Sequence, residues 1–164
     1  MADIIIREAT KNDIEIIQQL TYAIWPVTYG SILSADQLNY MLELIYSKTS
    51  LQNQMHEGHH FLIVEDDRTP VAFADYGLLK DDVYKLHKIY VLQNQQGKGI
   101  GKLLIDHVIK KIKEKNAMAL VLNVNRNNKA KQVYEHLGFK VIGEEDIDIG
   151  EGYFMNDYIM SLTV

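Results

Sequence analysis

Three glycines alternate at positions 97, 99 and 101 in the segment Gln96-Gly97-Lys98-Gly99-Ile100-Gly101. Glycine takes positive φ freely and lets the backbone come close to a ligand. The segment stands between a strand-like run and an amphipathic helical run over residues 98–115. The first N–H groups of a helix have no internal partners, and together with the helix dipole they favour an anion. A pyrophosphate is the natural guest, with Lys98 or Lys102 positioned to add charge. The alternative is a glycine-rich connection that holds no ligand, but glycines at a helix start destabilise it without a compensating reason.

Two nucleotide-binding patterns do not fit. The P-loop needs Gly-Lys followed by Ser or Thr, whose hydroxyl meets magnesium; here Gly101-Lys102 is followed by Leu103. The dinucleotide fingerprint G-x-G-x-x-G wants an acidic residue about 20 positions further on. Here the third glycine arrives one residue early, and Leu120, Val121, Leu122 and Asn123 occupy that region. A third motif, His56-Glu57-Gly58-His59-His60, matches the zinc-protease pattern H-E-x-x-H. That chemistry needs an unbroken helix to bring both histidines to one face. Gly58 lies inside the motif and a strand pattern follows at once, so a polar helix-to-strand turn is expected and no metal site.

The elements that must position these residues alternate in type. Residues 4–7 read as a strand, and Thr10 to Asp13 as a capping box. Ile14, Ile17, Thr21 and Ile24 follow at helical spacing, and Pro26 is expected to end or kink that helix. Ser34 to Gln37 is a second capping box, opening a helix with Leu38, Met41, Leu42 and Ile45; a third helix over residues 49–57 ends at Gly58. Strands are expected over residues 61–65, 71–79 and 83–92, the first two joined by a turn at 66–70. The helix at 98–115 buries Ile100, Leu103, Leu104, Val108 and Ile112. A strand at 120–124, a helix at 127–137 and strands at 139–142 and 153–162 complete the chain. This order predicts a mixed α/β (α+β) domain, not a regular doubly wound one.

The 164 residues suit a single domain, with 47% hydrophobic and 24% charged residues. No apolar run approaches the ~18 residues of a membrane helix, and no secretory leader is visible. With no cysteine, disulfides, thiolate nucleophiles and cysteine zinc sites are excluded, which fits a reducing cytoplasm. The net charge of −5 and the lack of a basic patch argue against nucleic acid and favour cationic small molecules such as amines. Lys110, Lys111, Lys113 and Lys115 read as a solvated helix face.

Gln96, Gly99 and Gly101 as Gln-x-x-Gly-x-Gly resemble the coenzyme A loop of the GNAT superfamily of N-acetyltransferases, and the run from Leu86 to Val91 resembles that family's central strand. Asn127-Asn-Lys-Ala130, then Tyr134, then Gly138-Phe139 resembles a second block of the family, in the right order and at about the right distance. The likeness is close over the second half of the chain and one of layout over the first. It implies the GNAT fold, a mixed and mostly antiparallel sheet with a splayed central strand pair flanked by helices. It also implies acetyl-CoA as cofactor. Backbone groups around Ile89, Tyr90 and Val91 would hold the pantetheine and acetyl carbonyl. The turn of Gln96, Gly97, Lys98, Gly99, Ile100, Gly101 and Lys102 would hold the pyrophosphate, and Asn127 and Ala130 would adjoin the cofactor.

The same resemblance makes Tyr134 the acid that protonates the departing thiolate, in a direct attack of the amine on the thioester. A phenol with a pKa of about 10 suits that task, although the spacing of Tyr134 fits a core aromatic equally. Many relatives carry Glu where this chain has His87, an imidazole able to take the amine's proton directly or through water; a surface or interior structural histidine is the alternative. Gln93 replaces a common proline. The acceptor region holds Trp25, Thr28, Tyr29 and Tyr40, either as substrate contacts or as packing. The layout from Ile24 to Tyr29, the pair Gln54-Met55 and the ending from Gly152 to Met160 are similar to polyamine acetyltransferases of the PaiA type. Aromatic rings with Asp157 and the acids 144–146 would suit a polycation such as spermidine or spermine. A protein N-terminal or lysine acetyltransferase and a non-enzymatic coenzyme A module remain alternatives, and relatives are often homodimers.

Overall fold

The computed structural model describes residues 3–164. Seven strands form one sheet in the order β1-β2-β3-β4-β5-β7-β6. They are β1 (Ile4–Glu8), β2 (His60–Asp66), β3 (Thr69–Lys80), β4 (Val83–Val91), β5 (Ala119–Asn125), β6 (Lys140–Gly150) and β7 (Tyr153–Thr163). Helices α1 (Ile14–Tyr29), α2 (Ala35–Tyr46) and α3 (Lys48–His56) precede β2, while α4 (Ile100–Lys113) and α5 (Ala130–His136) flank β5 in sequence. Every neighbouring strand pair is antiparallel except β4–β5.

Two cores pack on this sheet. Leu104, Val108 and Ile112 of α4 meet Leu86, Leu120, Leu122 and Met160 in one. Ile17, Tyr46 and Leu51 of the first three helices meet Phe61, Ile63 and Phe73 in the other. Side chains alternate between the two cores along β2, since Leu62 and Val64 join the first and Phe61 and Ile63 the second. The capping box at Thr10 is complete, with Asp13 Oδ2 accepting from Thr10 N at 2.9 Å. Asp13 also takes a bidentate Arg7 guanidinium at 2.9 and 3.0 Å, which ties β1 to the start of α1.

The strand pair β4–β5 opens partway along. Its ladder runs from Val83↔Ala119 to Leu86↔Leu122 and stops, although β4 continues to Val91 and β5 to Asn125. The β5-facing edge of β4 is therefore unpaired from His87 onward, as the splayed strand pair requires. A second irregularity falls at the same place. On the β3 side Leu86 faces Tyr76 and Lys88 faces Asp75, so His87 is an extra residue with no partner. Such a bulge breaks the two-residue alternation, and consecutive His87 and Lys88 both border the cavity beneath α1 and α2.

Four local expectations are corrected. Pro26 does not end the first helix but lies inside α1, which continues to Tyr29; the carbonyl it leaves without its helical donor belongs to Tyr22, an exposed residue. The glycine-turn helix begins at Ile100 rather than 98, because Gly97 and Gly99 take φ of 84° and 77°, outside the right-handed helix. Residues 127–129 precede α5 instead of opening it. Asn125 and Asn128 accept the N–H of Asn127 and Ala130 at 2.9 and 3.0 Å, holding the segment in turns. Finally, β6 runs on through Glu144 to Gly150, because backbone pairing with β7 as an edge strand does not require apolar side chains.

Candidate active site

The glycine turn presents donors without acceptors. Among the described residues, the N–H groups of residues 97–102 make no hydrogen bond within the protein, while Leu103 N returns to Gly99 O at 3.0 Å as the first bond of the α4 ladder. A Cβ built at Gly97, Gly99 or Gly101 would meet no atom within 4 Å, so the space in front of these amides is open to a ligand. Ile100 is 2% exposed and anchors the turn in the core, leaving only its backbone for binding. Lys102 leans along the helix to Asp106 at 2.7 Å, and Lys98 reaches Gln95 at 2.9 Å. A run of orphan amides on the start of a fourteen-residue helix is a fitting cradle for a pyrophosphate.

Under α1 and α2, beside the unpaired stretch of β4, lies a cavity of about 200 Å³; neither the glycine turn nor Tyr134 is among its lining residues. Of the acceptor region named from sequence, Thr28 and Tyr40 stand outside it, while Trp25, Tyr29 and Asp157 line it together with His87 and Tyr90. Three of them form an aromatic cluster, with Trp25 4.8 Å from Tyr29 and 5.8 Å from Tyr90 between ring centroids. The Tyr29 and Tyr90 hydroxyls are 2.9 Å apart. Tyr40 does not line the cavity. Its hydroxyl donates to Ile149 O at 2.6 Å, and Gln37 donates to Phe154 O at 2.8 Å, which fastens the β6–β7 hairpin to α2 over the cavity mouth.

Asp157 is 3% exposed, and among the described residues no salt bridge neutralises it. Asn123 Nδ2 donates to it at 3.3 Å. Burial raises its carboxyl above the ordinary value, partly offset by Asn123 and by Lys85. Tyr134 stands on α5 with its ring 5.9 Å from Phe139, edge to face. Burial lifts its phenol above the usual tyrosine range, and Tyr29 adds to the lift. Among the described residues its hydroxyl makes no hydrogen bond to another side chain, so the proton it carries is uncommitted.

Behind His87 lies a polar cluster that no motif pattern announced. Asp75 is fully buried; its Oδ2 accepts from Lys88 Nζ at 2.7 Å and contacts His59 Nδ1 at 2.6 Å. Lys88 also donates to Gln54 Oε1 at 2.7 Å. Burial alone would raise the Asp75 carboxyl, but the His59 hydrogen bond and the Lys88 charge outweigh it and hold it low. The His59 ring stacks on His87 at 4.1 Å with 19° between planes. One ligand-type atom from each of His59, Asp75 and His87 lies within 4.8 Å of the others. Stacked rings keep their in-plane lone pairs parallel rather than convergent, and the Lys88 ammonium already sits on Asp75, so the arrangement is that of a hydrogen-bonded charge cluster. The helix α3 stops at His56 and Gly58 takes φ of 103°, so His59 leaves the zinc-protease motif and enters this cluster at the strand edge.

Burial holds His87 down at about 4, against the pull of Asp75 and with help from His59, Lys88 and Lys85. It is therefore neutral at pH 7, and a weaker base than an ordinary imidazole. Between pH 6.5 and about 4 the unfolded chain binds a proton here that the folded chain does not. Stability is fully present above 6.5 and falls as the pH drops through that window. After allowance for partial exposure the loss is about 2 kcal/mol. Urea unfolding from pH 7 to 4 should show that excess loss in the native protein relative to His87→Gln; parallel curves for the two would remove the linkage.

The splayed strands, the amide-lined turn and the open cavity together define an acyl-CoA-binding α/β domain. A family model, the acetyltransferase (GNAT) domain, matches residues 33–153. The chain belongs to the GNAT family and is an acetyl-CoA-dependent N-acetyltransferase. It is 31% identical over 109 residues to the [ribosomal protein bS18]-alanine N-acetyltransferase of Haemophilus influenzae, covering 66% of this chain and 70% of that one. It is 28% identical over 156 residues to the spermidine N(1)-acetyltransferase of Thermoplasma acidophilum, covering 92% and 94%. The structure of the PaiA N-acetyltransferase of the same organism in complex with coenzyme A superposes with a TM-score of 0.84 at 27% identity, over 99% of each chain.

Proposed function

We propose that this N-acetyltransferase acts on a polyamine of the spermidine or spermine kind. The observation that carries the reading is Asp157, a carboxylate buried in a cavity walled by aromatic rings and without an ion-pair partner among the described residues. Such a site suits a second ammonium group of the acceptor, through charge and cation–π contacts. The end-to-end likeness to a spermidine acetyltransferase supports the same class.

The amides of residues 97–102 would hold the pyrophosphate of acetyl-CoA. The free β4 edge at Ile89, Tyr90 and Val91 would hold the pantetheine, with Asn127 and Ala130 alongside. When bound, acetyl-CoA supplies a thioester whose carbonyl carbon an amine can attack, with a thiolate as leaving group. The chain's own groups handle the protons. His87, neutral and facing the cavity, takes one from the acceptor nitrogen. The positive neighbours Lys85 and Lys88, which help to keep His87 neutral, disfavour an ammonium at the reacting position as well. Tyr134 holds a proton at Oη across the working pH range, because burial raises its phenol. Burial raises the proton affinity of a thiolate too, so donor and acceptor remain matched.

The test is initial-rate kinetics with spermidine, spermine, a simple monoamine and a peptide with a free N-terminal alanine. Spermidine and spermine are expected to show the highest kcat/KM, and Asp157→Asn to raise their KM about tenfold with little effect on the monoamine. Best turnover on the alanine peptide would instead select the protein N-terminal reading, which the 31% identity to a ribosomal-protein acetyltransferase favours.

A further inference from the structure

The far end of the β6–β7 hairpin has no sheet neighbour. The β5–β7 ladder ends at Asn125↔Asp157, and β6 is the outermost strand. Residues 147–155 therefore form a two-stranded ribbon, paired as Ile147↔Met155, Asp148↔Phe154 and Gly150↔Tyr153. Such a ribbon is marginal by itself in water. Ile149 and Met155 rest it on the helical core. Side chains of α2 then pin its position. Tyr40 Oη donates to Ile149 O at 2.6 Å, Gln37 Nε2 donates to Phe154 O at 2.8 Å, and the Tyr40 and Tyr153 ring centroids are 5.3 Å apart. Gly150 makes room for the first of these bonds. It takes φ of 92°, and a Cβ there would stand 2.8 Å from Tyr40 Oη.

This clasp sets the bore of the acceptor cavity. Gln37 and Met41 line it from α2, and Ile147, Phe154 and Met155 line it from the ribbon. With the two held together the space is about 200 Å³, below the ~300 Å³ at which sites for drug-sized ligands begin. The ribbon's share of the wall is apolar, which suits methylene groups better than a polar main chain. Ile149 O and Phe154 O are already bonded to α2 side chains, which leaves the ribbon fewer acceptors for the N–H groups of an extended peptide. We propose that Tyr40, admitted by Gly150, is a specificity-determining residue that holds the ribbon against α2 and limits the acceptor to a slender, unbranched alkylamine. Bulky amines and peptide main chains are excluded by girth. Tyr40 acts through the ribbon and touches no substrate. The clasp adds a criterion of shape to the polyamine reading, and it rests on that reading's placement of the acceptor in this cavity.

The experiment compares kcat/KM for butylamine and naphthylmethylamine, two primary monoamines of different girth, at saturating acetyl-CoA. The native enzyme is expected to prefer butylamine about 20-fold or more. Tyr40→Phe keeps the ring and removes the bond to Ile149 O. It should cut the preference about fivefold, the size of one neutral hydrogen bond, by raising turnover of the bulky amine while butylamine stays within about twofold. Gly150→Ala drives Tyr40 Oη off its acceptor and should act in the same direction. In the Tyr40→Phe background Gly150→Ala should add less than about twofold, because the bond it disturbs is already gone. Loosening of the ribbon should also speed cleavage at Glu151 by a glutamate-specific protease about fivefold in Tyr40→Phe. A native preference near one, a preference retained in both single variants, or a Glu151 cleavage rate unmoved by Tyr40→Phe overturns the clasp. Equal falls in turnover of both amines would mark Tyr40 as purely structural and overturn it too. An unchanged spermidine KM in Asp157→Asn removes the polyamine reading and leaves the clasp standing, since the clasp is read on monoamines, so the two failures are separable.

Discussion

Replacing Tyr134 by phenylalanine is expected to lower kcat by about 10²–10³, a barrier increase of about 3–4 kcal/mol. KM for acetyl-CoA should stay within about threefold, because the ring and its contact with Phe139 remain. The reason lies in one oxygen. Tyr134 holds a proton that no neighbouring side chain claims, and burial keeps that proton in place well beyond the working pH. The loss should therefore be the same at pH 6 and pH 9. A phenol titrating inside that range would make the variant's deficit shrink at alkaline pH, which the direction of the shift forbids. Single-turnover rates with saturating acetyl-CoA provide the measurement. A Tyr134→Phe enzyme within about threefold of native would mean that Tyr134 is a packing residue on the α5 stripe and that another group supplies the proton.

Substituting Gly99 by valine is expected to raise KM for acetyl-CoA by about 30-fold or more while leaving kcat at saturation within a few-fold. Gly99 caps α4 at φ of 77°, where a β-branched residue is strained by about 1–3 kcal/mol. None of the described residues lies within 4 Å of the added Cβ, so no core packing is disturbed. The side chain stands instead in front of amides that have no other partner. Gly101→Ala is the informative companion. Gly101 sits inside α4, where alanine is favoured by about 1 kcal/mol. A variant that melts higher yet binds acetyl-CoA more weakly would separate the ligand's need for the glycine from the fold's. Equal KM values for Gly99→Val and the native enzyme, by isothermal titration or kinetics, would remove the turn from the cofactor site.

Much of the proposed cofactor site was legible along the chain because its geometry depends on local rules. The glycines 97, 99 and 101 lie within one turn, and positive φ, orphan amides and a following amphipathic helix are all short-range properties. The Asn127–Phe139 block is local in the same sense, which is why its resemblance held even though residues 127–129 proved to be turns. The alternating strands and helices were readable from periodicity, and the errors in their extent fell at boundaries; within α4, Leu103, expected on the buried face, is exposed and Ile105 is buried instead. Pro26 and the start of α5 are places where a side-chain bond or access to water overrides propensity. The acidic run from Glu144 to Asp148 has no strand-like alternation of apolar residues, and pairing with β7 alone makes it a strand.

The acceptor side was decided in three dimensions. His87 was a candidate from its place three residues before Tyr90, but its proton affinity was not readable, because burial and the charges of His59, Asp75, Lys88 and Lys85 come from two strands and a connecting loop. The bulge that turns His87 and Lys88 to the same face is a register shift between β3 and β4, invisible in either strand alone. Asp75 lay within a strand pattern and His59 within a misleading zinc-protease motif; antiparallel pairing brings His60 opposite Tyr76 and so places the two side by side. Local sequence determines which backbone groups are left without partners, since those depend on neighbours a few residues away. Which side chains share a cavity, and how strongly they hold their protons, depends on residues tens of positions apart that meet only when the sheet closes.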